Sequence, residues 1–228
     1  MATRTRVAHP SEDERQARGK QAQNRTPPSS HTDWTPAADR PDPVGLLEEQ
    51  NLDREPDLVR VRHGRMLVSP FTFFRGAAKI MAADLDGTPT SGLEVQLCGD
   101  AHLSNFGAFA SPERRLLFDV NDFDGTLPGP FEYDVKRMAA SFPIAGRHNS
   151  FAKADAKAAT LASVAAYREA MASFAQMGTM DIWYAHMDED TLMVAARSVG
   201  AEASTTKRAK KEAKKEAKKE ARRWHRLV

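Results

Sequence analysis

From Val44 onward apolar residues return at helical spacing, with Leu46, Leu47, Leu52, Leu58 and Val61 sharing a face, which predicts helix up to the boundary at Met66-Leu67-Val68-Ser69-Pro70. The aromatic cluster Phe71, Phe73 and Phe74 comes next and is expected in the core. Small and apolar residues from Arg75 to Leu85 predict another helix, capped by Ser69 or Thr72. Gly87-Thr88-Pro89-Thr90-Ser91-Gly92 then reads as a turn into a short buried strand, Val95-Gln96-Leu97-Cys98, which breaks at Gly99. Leu116-Leu117-Phe118 is a second strand-like run. After Pro130 the pattern is helical again: Val135, Met138, Ala139 and Phe142 share a face, and Asp134 stands as an N-cap or first-turn acid. Ala-rich residues 150–175 make the strongest helix and Gly178 ends it. Trp183, Tyr184 and Met187 are expected to pack together, and Asp188-Glu189-Asp190 to open a last helix.

Composition changes this picture at both ends. Residues 1–43 are polar, with Pro27, Pro28, Pro36, Pro41 and Pro43, and offer too little apolar surface to offset the entropy of ordering. A disordered tail is expected there, with Trp34 as the one anchor and Arg4, Arg6, Arg15, Arg18 and Lys20 solvated rather than bound to an acidic partner. Residues 207–223 repeat Lys-Lys-Glu-Ala, as in Lys210-Lys211-Glu212-Ala213. Period four sets Glu and Lys at i,i+4 and leaves no apolar stripe, so a solvated connecting helix is expected. Over 228 residues, 33 basic side chains against 31 acidic give a net charge of +2, which argues against a nucleic-acid partner. The single Cys98 excludes an internal disulfide and agrees with a reducing, cytoplasmic setting. No apolar run approaches a membrane span, and Arg4 and Arg6 lead into no signal-peptide core.

The candidate chemistry sits at the strand exits. Asp100, His102 and Asn105 follow the Gly99 break, and Asp119, Asp122 and Asp124 follow the second strand. Two acid-bearing loops on neighbouring strands imply one site. The set suits phosphoryl transfer, in which one carboxylate takes the proton of an attacking hydroxyl while an amide oxygen and a second carboxylate hold magnesium. Asp100 is the expected base, with Asn105, Asp122 and Asp124 on the metal and His102 as a brace. Asp119 is the rival of Asp122. Arg75 is expected to reach a phosphate, while Arg60, Arg62, His63 and Arg65 either attract an anionic substrate or form a solvated helix face. Two alternatives stand beside this: a metal-dependent hydrolase with His102 as a ligand, and a binding module without catalysis. Zinc hydrolysis usually takes three ligands, and His148 is the only other histidine nearby in sequence.

Asp100-Ala101-His102-Leu103-Ser104-Asn105 resembles the catalytic loop of aminoglycoside- and choline-kinase-like enzymes, and Asn121-Asp122-Phe123-Asp124 resembles their metal-binding segment. Gly129-Pro130 through Asp134-Val135 is similar to the stretch that follows, whose Asp is structural there. A closer resemblance, over roughly residues 45–205, is to the bacterial domain-of-unknown-function 2252 family. It is carried by Ser69-Pro70-Phe71-Thr72-Phe73-Phe74-Arg75-Gly76-Ala77-Ala78, Gln96 through His102, Asn121 through Asp124, and Asp134-Val135-Lys136-Arg137.

These resemblances imply an α+β, protein-kinase-like catalytic half over 44–205, between the tail at 1–43 and the charged helix at 206–228. They imply Mg and ATP as cofactor and co-substrate, and an unidentified small-molecule or protein hydroxyl as acceptor. They also place the Gly-rich hairpin and nucleotide-binding Lys of the relatives after the Lys-rich helix. The expectation is therefore a truncated chain that lacks its nucleotide-clamping lobe, or one half of a split protein with that lobe encoded separately.

Overall fold

The computed structural model describes residues 10–32 and 34–198. Helix α1, Glu12–Arg25, starts at Ser11 with a reciprocal capping box: the Glu14 amide donates to Ser11 Oγ and the Ser11 amide to the Glu14 carboxylate. Over 10–32 and 34–43 this departs from the disordered tail expected for 1–43. Local capping supplies the helix, and tertiary hydrogen bonds hold it: Arg25 donates to the Ser91 carbonyl and Thr26 Oγ1 to that of Thr90 at 2.9 Å. Further along, Trp34 Nε1 donates to the Asp84 carbonyl at 3.0 Å, and Arg40 forms a two-pronged ion pair with the Asp84 carboxylate. Polar composition concealed the segment because its contacts to the body are themselves polar. The Lys-rich helix expected at 206–228 lies outside the described residues.

Helices α2, Pro43–Asn51, and α3, Pro56–Met66, both begin with proline in the first turn, where its missing N–H costs no bond. The single helix expected from Arg75 to Leu85 is instead two. Helix α4, Pro70–Gly76, is capped by Ser69 in a second capping box with Thr72, and α5, Ala78–Asp86, restarts after Ala77. Phe71 is buried as expected, whereas Phe73 is exposed.

The sheet part is small and antiparallel, which makes the molecule a mixed α+β protein. Strand β1, Glu94–Leu97, pairs with β4, Leu127–Pro130, while β2, Phe106–Ala110, pairs with β3, Leu116–Val120. The strands before the two acidic loops are therefore not neighbours, as the sequence had implied. Pro128 and Pro130 lie in β4, where a two-stranded ribbon leaves an edge that needs no donor.

Helix α6, Phe131–His148, follows β4 directly, with Glu132 and Asp134 in its first turn. Helix α7, Lys153–Phe174, packs along it at Gly146, where a side chain would meet Ala156. Helix α8, Thr179–Tyr184, strand β5, Met187–Asp188, which joins β3, and α9, Glu189–Ser198, complete the described chain. The acids Glu189 and Asp190 open α9 as expected. The aromatic cluster near it does not pack, since Trp183 is 80% exposed and Tyr184 and Met187 are also open. Among the described residues no helix is long and apolar enough to cross a membrane.

Candidate functional site

The turn after β1 is shaped by its backbone. Gly99 has φ +84°, and a Cβ there would run into the carbonyl of Gly125 from the second acidic loop. Only glycine allows the two loops to approach this closely. Asp134, in the first turn of α6, then fixes the turn by accepting from the amides of Cys98 at 2.6 Å and Gly99 at 3.1 Å. A carboxylate receiving two backbone amides is a strong, directional clamp.

The Asp100 side chain is held by Arg137 of α6, which is 3% exposed. Arg137 Nε donates to Asp100 Oδ1 at 2.7 Å, and Nη2 donates both to that oxygen and to the Phe74 carbonyl at 2.8 Å. The guanidinium lies 4.4 Å from the centre of the Phe74 ring. With Oδ1 occupied, Oδ2 is the oxygen left for a substrate, and 30% of the side chain remains exposed. His102 Nε2 stands 3.6 Å from Oδ2, beyond hydrogen-bond reach. His102 is itself buried, and its Nδ1 has no partner among the described residues. Burial holds its pKa below the ordinary imidazole value, against the pull of Asp100 and aided by the charges of Arg137 and Arg75.

Asn105, buried at the end of a short 3-10 turn, joins the two loops. Its Nδ2 donates to the carbonyl of Asp100 at 3.3 Å and to that of Asp122 at 3.2 Å. Its amide nitrogen being spent, Oδ1 is the group it can offer a cation. In the second loop Asp122 Oδ1 accepts from the Asp124 amide at 3.2 Å. The Asp124 pKa is raised above the usual carboxylate value, chiefly by the charge of Asp122, then by partial burial and a hydrogen bond to Asp122, with Asp100 adding and Arg54 opposing. Asp100, Asp122 and Asp124 thus share one electrostatic neighbourhood. Asp119 stands apart on β3, where its carboxylate accepts from the Val120 amide at 2.7 Å.

This donor set, two crowded carboxylates and an amide oxygen, fits a hard divalent cation that binds few protein groups. Among the described residues no three His, Cys, Asp or Glu side chains are grouped to hold a metal. Cys98 lies beside the loop, with its sulfur 3.7 Å from Asn105 Nδ2, and burial pushes its thiol pKa up. Arg75 is exposed at the end of α4, forms no ion pair among the described residues, and acts on His102 through its charge.

Sequence reading missed Arg137 as the group that fixes Asp100, and missed Ser141. Ser141 is 0% exposed; its Oγ accepts from the Leu103 amide at 3.1 Å and donates to the Met138 carbonyl at 2.6 Å. The signal was present: Asp134, Arg137 and Ser141 form a polar i, i+3, i+7 series on a helix whose surroundings are apolar.

A family model described as an uncharacterized protein conserved in bacteria, DUF2252, matches residues 54–227. No curated protein and no solved structure matches the chain.

Proposed function

This chain belongs to the DUF2252 family of proteins conserved in bacteria, and we propose that it carries the base and metal loops of a Mg-dependent phosphotransferase. The observation that carries this reading is the bridge made by Asn105, which ties the Asp100 loop to the Asp122 loop through both carbonyls. It brings a carboxylate anchored by a buried arginine next to a crowded acidic pair. Asp122, Asp124 and the Asn105 amide oxygen would hold magnesium, which supplies charge neutralisation for phosphate oxygens.

The chain's own groups divide the remaining work. Asp100 Oδ2 orients an acceptor hydroxyl and takes its proton, while Arg137 prevents the carboxylate from swinging away. His102 braces that carboxylate from the buried side. Arg75, unpaired and exposed, meets a phosphate at the rim. The donor is ATP and the acceptor a small-molecule or protein hydroxyl.

Calorimetry of ATP against the whole chain, with and without magnesium, tests the reading. Magnesium-dependent binding should be present and should weaken by about tenfold or more in Asp122→Asn. Both side chains in the acidic pair are exposed, so the substitution leaves the fold intact. ATP binding that is absent, or indifferent to magnesium and to Asp122, would overturn the assignment.

A further inference from the structure

A cavity of about 1510 Å³ is lined in part by Phe74, whose ring also lies against Arg137. It is larger than the roughly 300–1,000 Å³ usual for small-ligand pockets. One wall is a face of α6, on which Tyr133, Lys136, Ala140, Ile144 and Arg147 recur every three or four residues. The facing wall is apolar and comes from α4 and α5, with Phe74, Ile80 and Met81 among its residues. The third is the segment around Trp34, pinned to α5 by the Trp34 bond to the Asp84 carbonyl and by the Arg40 ion pair with Asp84. Arg40 also lies 6.0 Å from the Trp34 ring centre.

Charge in this cleft is unevenly matched. Asp84 is already neutralised by Arg40, while Asp39 and Asp86 are exposed. Lys136 is half-buried on the α6 wall, and its Nζ meets only the hydroxyl of Thr88, at 2.9 Å. No carboxylate forms an ion pair with it among the described residues. Removing an ammonium from water without a counter-charge is costly, and burial lowers its pKa accordingly, although Glu132 pulls the other way. Arg147 lies on the same wall eleven residues further on, which on a helix is roughly 16 Å, and it too forms no ion pair among the described residues.

We propose that this cleft binds an elongated amphipathic anion, whose apolar body lies along the α5 and α6 walls beneath Trp34 and whose anionic group pairs with Lys136. Apolar walls supply most of the affinity and a single convergent cation sets the orientation, the usual division of labour in such a pocket. The cleft is independent of phosphoryl transfer, because none of the acidic loop residues lines it. It does share a wall with the candidate site, since Phe74 and Met81 also touch Arg137.

The test is a titration of the full chain with 1-anilinonaphthalene-8-sulfonate, an apolar aromatic anion that fluoresces when shielded from water. One saturable site is expected, weakened about tenfold or more by Lys136→Met and by Ala140→Trp, which sets a large ring on the α6 wall beside Lys136. Trp183→Ser, on the separate exposed apolar surface, should leave it within about twofold of the parent, a change under 0.5 kcal/mol. Dodecanoate should displace the probe and 1-dodecanol, at equal concentration, should not. Circular dichroism checks each fold, and if Ala140→Trp fails to fold, Lys136→Met decides alone. Binding unchanged in Lys136→Met, loss in Trp183→Ser, or equal displacement by the neutral alcohol would each overturn the proposal.

Discussion

Replacing Arg137 by Met removes the cation that fixes Asp100 while keeping most of the buried volume. The charge-assisted contact with Asp100 is worth about 1.5–3 kcal/mol and the bond to the Phe74 carbonyl about 1 kcal/mol. The ring contact at 4.4 Å adds about 0.5–2 kcal/mol. These do not sum in full. Asp100 keeps 30% of its side chain in water, so the stranded carboxylate is partly resolvated, and the arginine's own desolvation cost disappears with it. The expected loss is about 2–3 kcal/mol, below the ~3–5 kcal/mol for breaking a fully buried pair. With a urea slope of about 2 kcal/mol/M, the midpoint followed by far-ultraviolet circular dichroism should fall by about 1–1.5 M. Arg137→Lys should recover little, because one ammonium cannot span the Asp100 carboxylate and the Phe74 carbonyl in the same planar fork. A loss under about 0.5 kcal/mol, or additivity with Asp100→Asn to within about 0.3 kcal/mol, would refute the claim that this pair organises the loop.

Asp134→Asn keeps the side-chain shape but places an NH2 group against two backbone donors, Cys98 and Gly99. It should cost about 1.5–3 kcal/mol and accelerate hydrogen exchange at those two amides; unchanged exchange would mean that the turn holds without its clamp. His102 provides a pH prediction with a definite sign. Its folded pKa is lowered below 6.5 by burial, so between that folded value and 6.5 the unfolded chain binds more protons and stability rises with pH. The stabilisation is therefore complete above 6.5 and is lost as pH falls toward the folded value. His102→Gln should flatten that part of the stability curve measured by urea titration, and an unaltered slope would assign it to other groups.

Much of the fold was legible because its signals are local. The Gly99 break, the strand before it, the helix after Pro130 and the acids opening α9 each depend on a few consecutive residues. The two misreadings at the ends of the domain have one cause. Over 10–32 and 34–43, polar side chains find distant partners, 64 residues away for Thr26 at Thr90 and 44 for Arg40 at Asp84, and composition alone assigns such residues to solvent. At Trp183 and Tyr184 the reverse holds, since apolar character argues for burial while the described chain supplies no covering element. The split at Ala77 is subtler. Residues from 75 to 85 have good helical spacing throughout, yet Ser69 caps a first short helix and the Ala77 amide bonds back to Phe74, which ends it early.

The candidate site divides along the same line. Its acids and amide were readable because each lies within a few residues of a glycine that marks a strand exit. Of the parts that aim them, Asp134 was expected as a structural acid through the resemblance alone, and Arg137 and Ser141 were not read as aiming groups, because they come from α6, more than thirty residues downstream. Asp134 holds the turn, Arg137 holds the Asp100 carboxylate and Ser141 holds the Leu103 amide, all from one helical face. The adjoining face of the same helix presents Tyr133, Lys136, Ala140 and Ile144 to the large cleft. Helix α6 is thus a common wall of the cleft and the candidate site, with the residues that aim the acidic loops on one face and the cleft lining on the next.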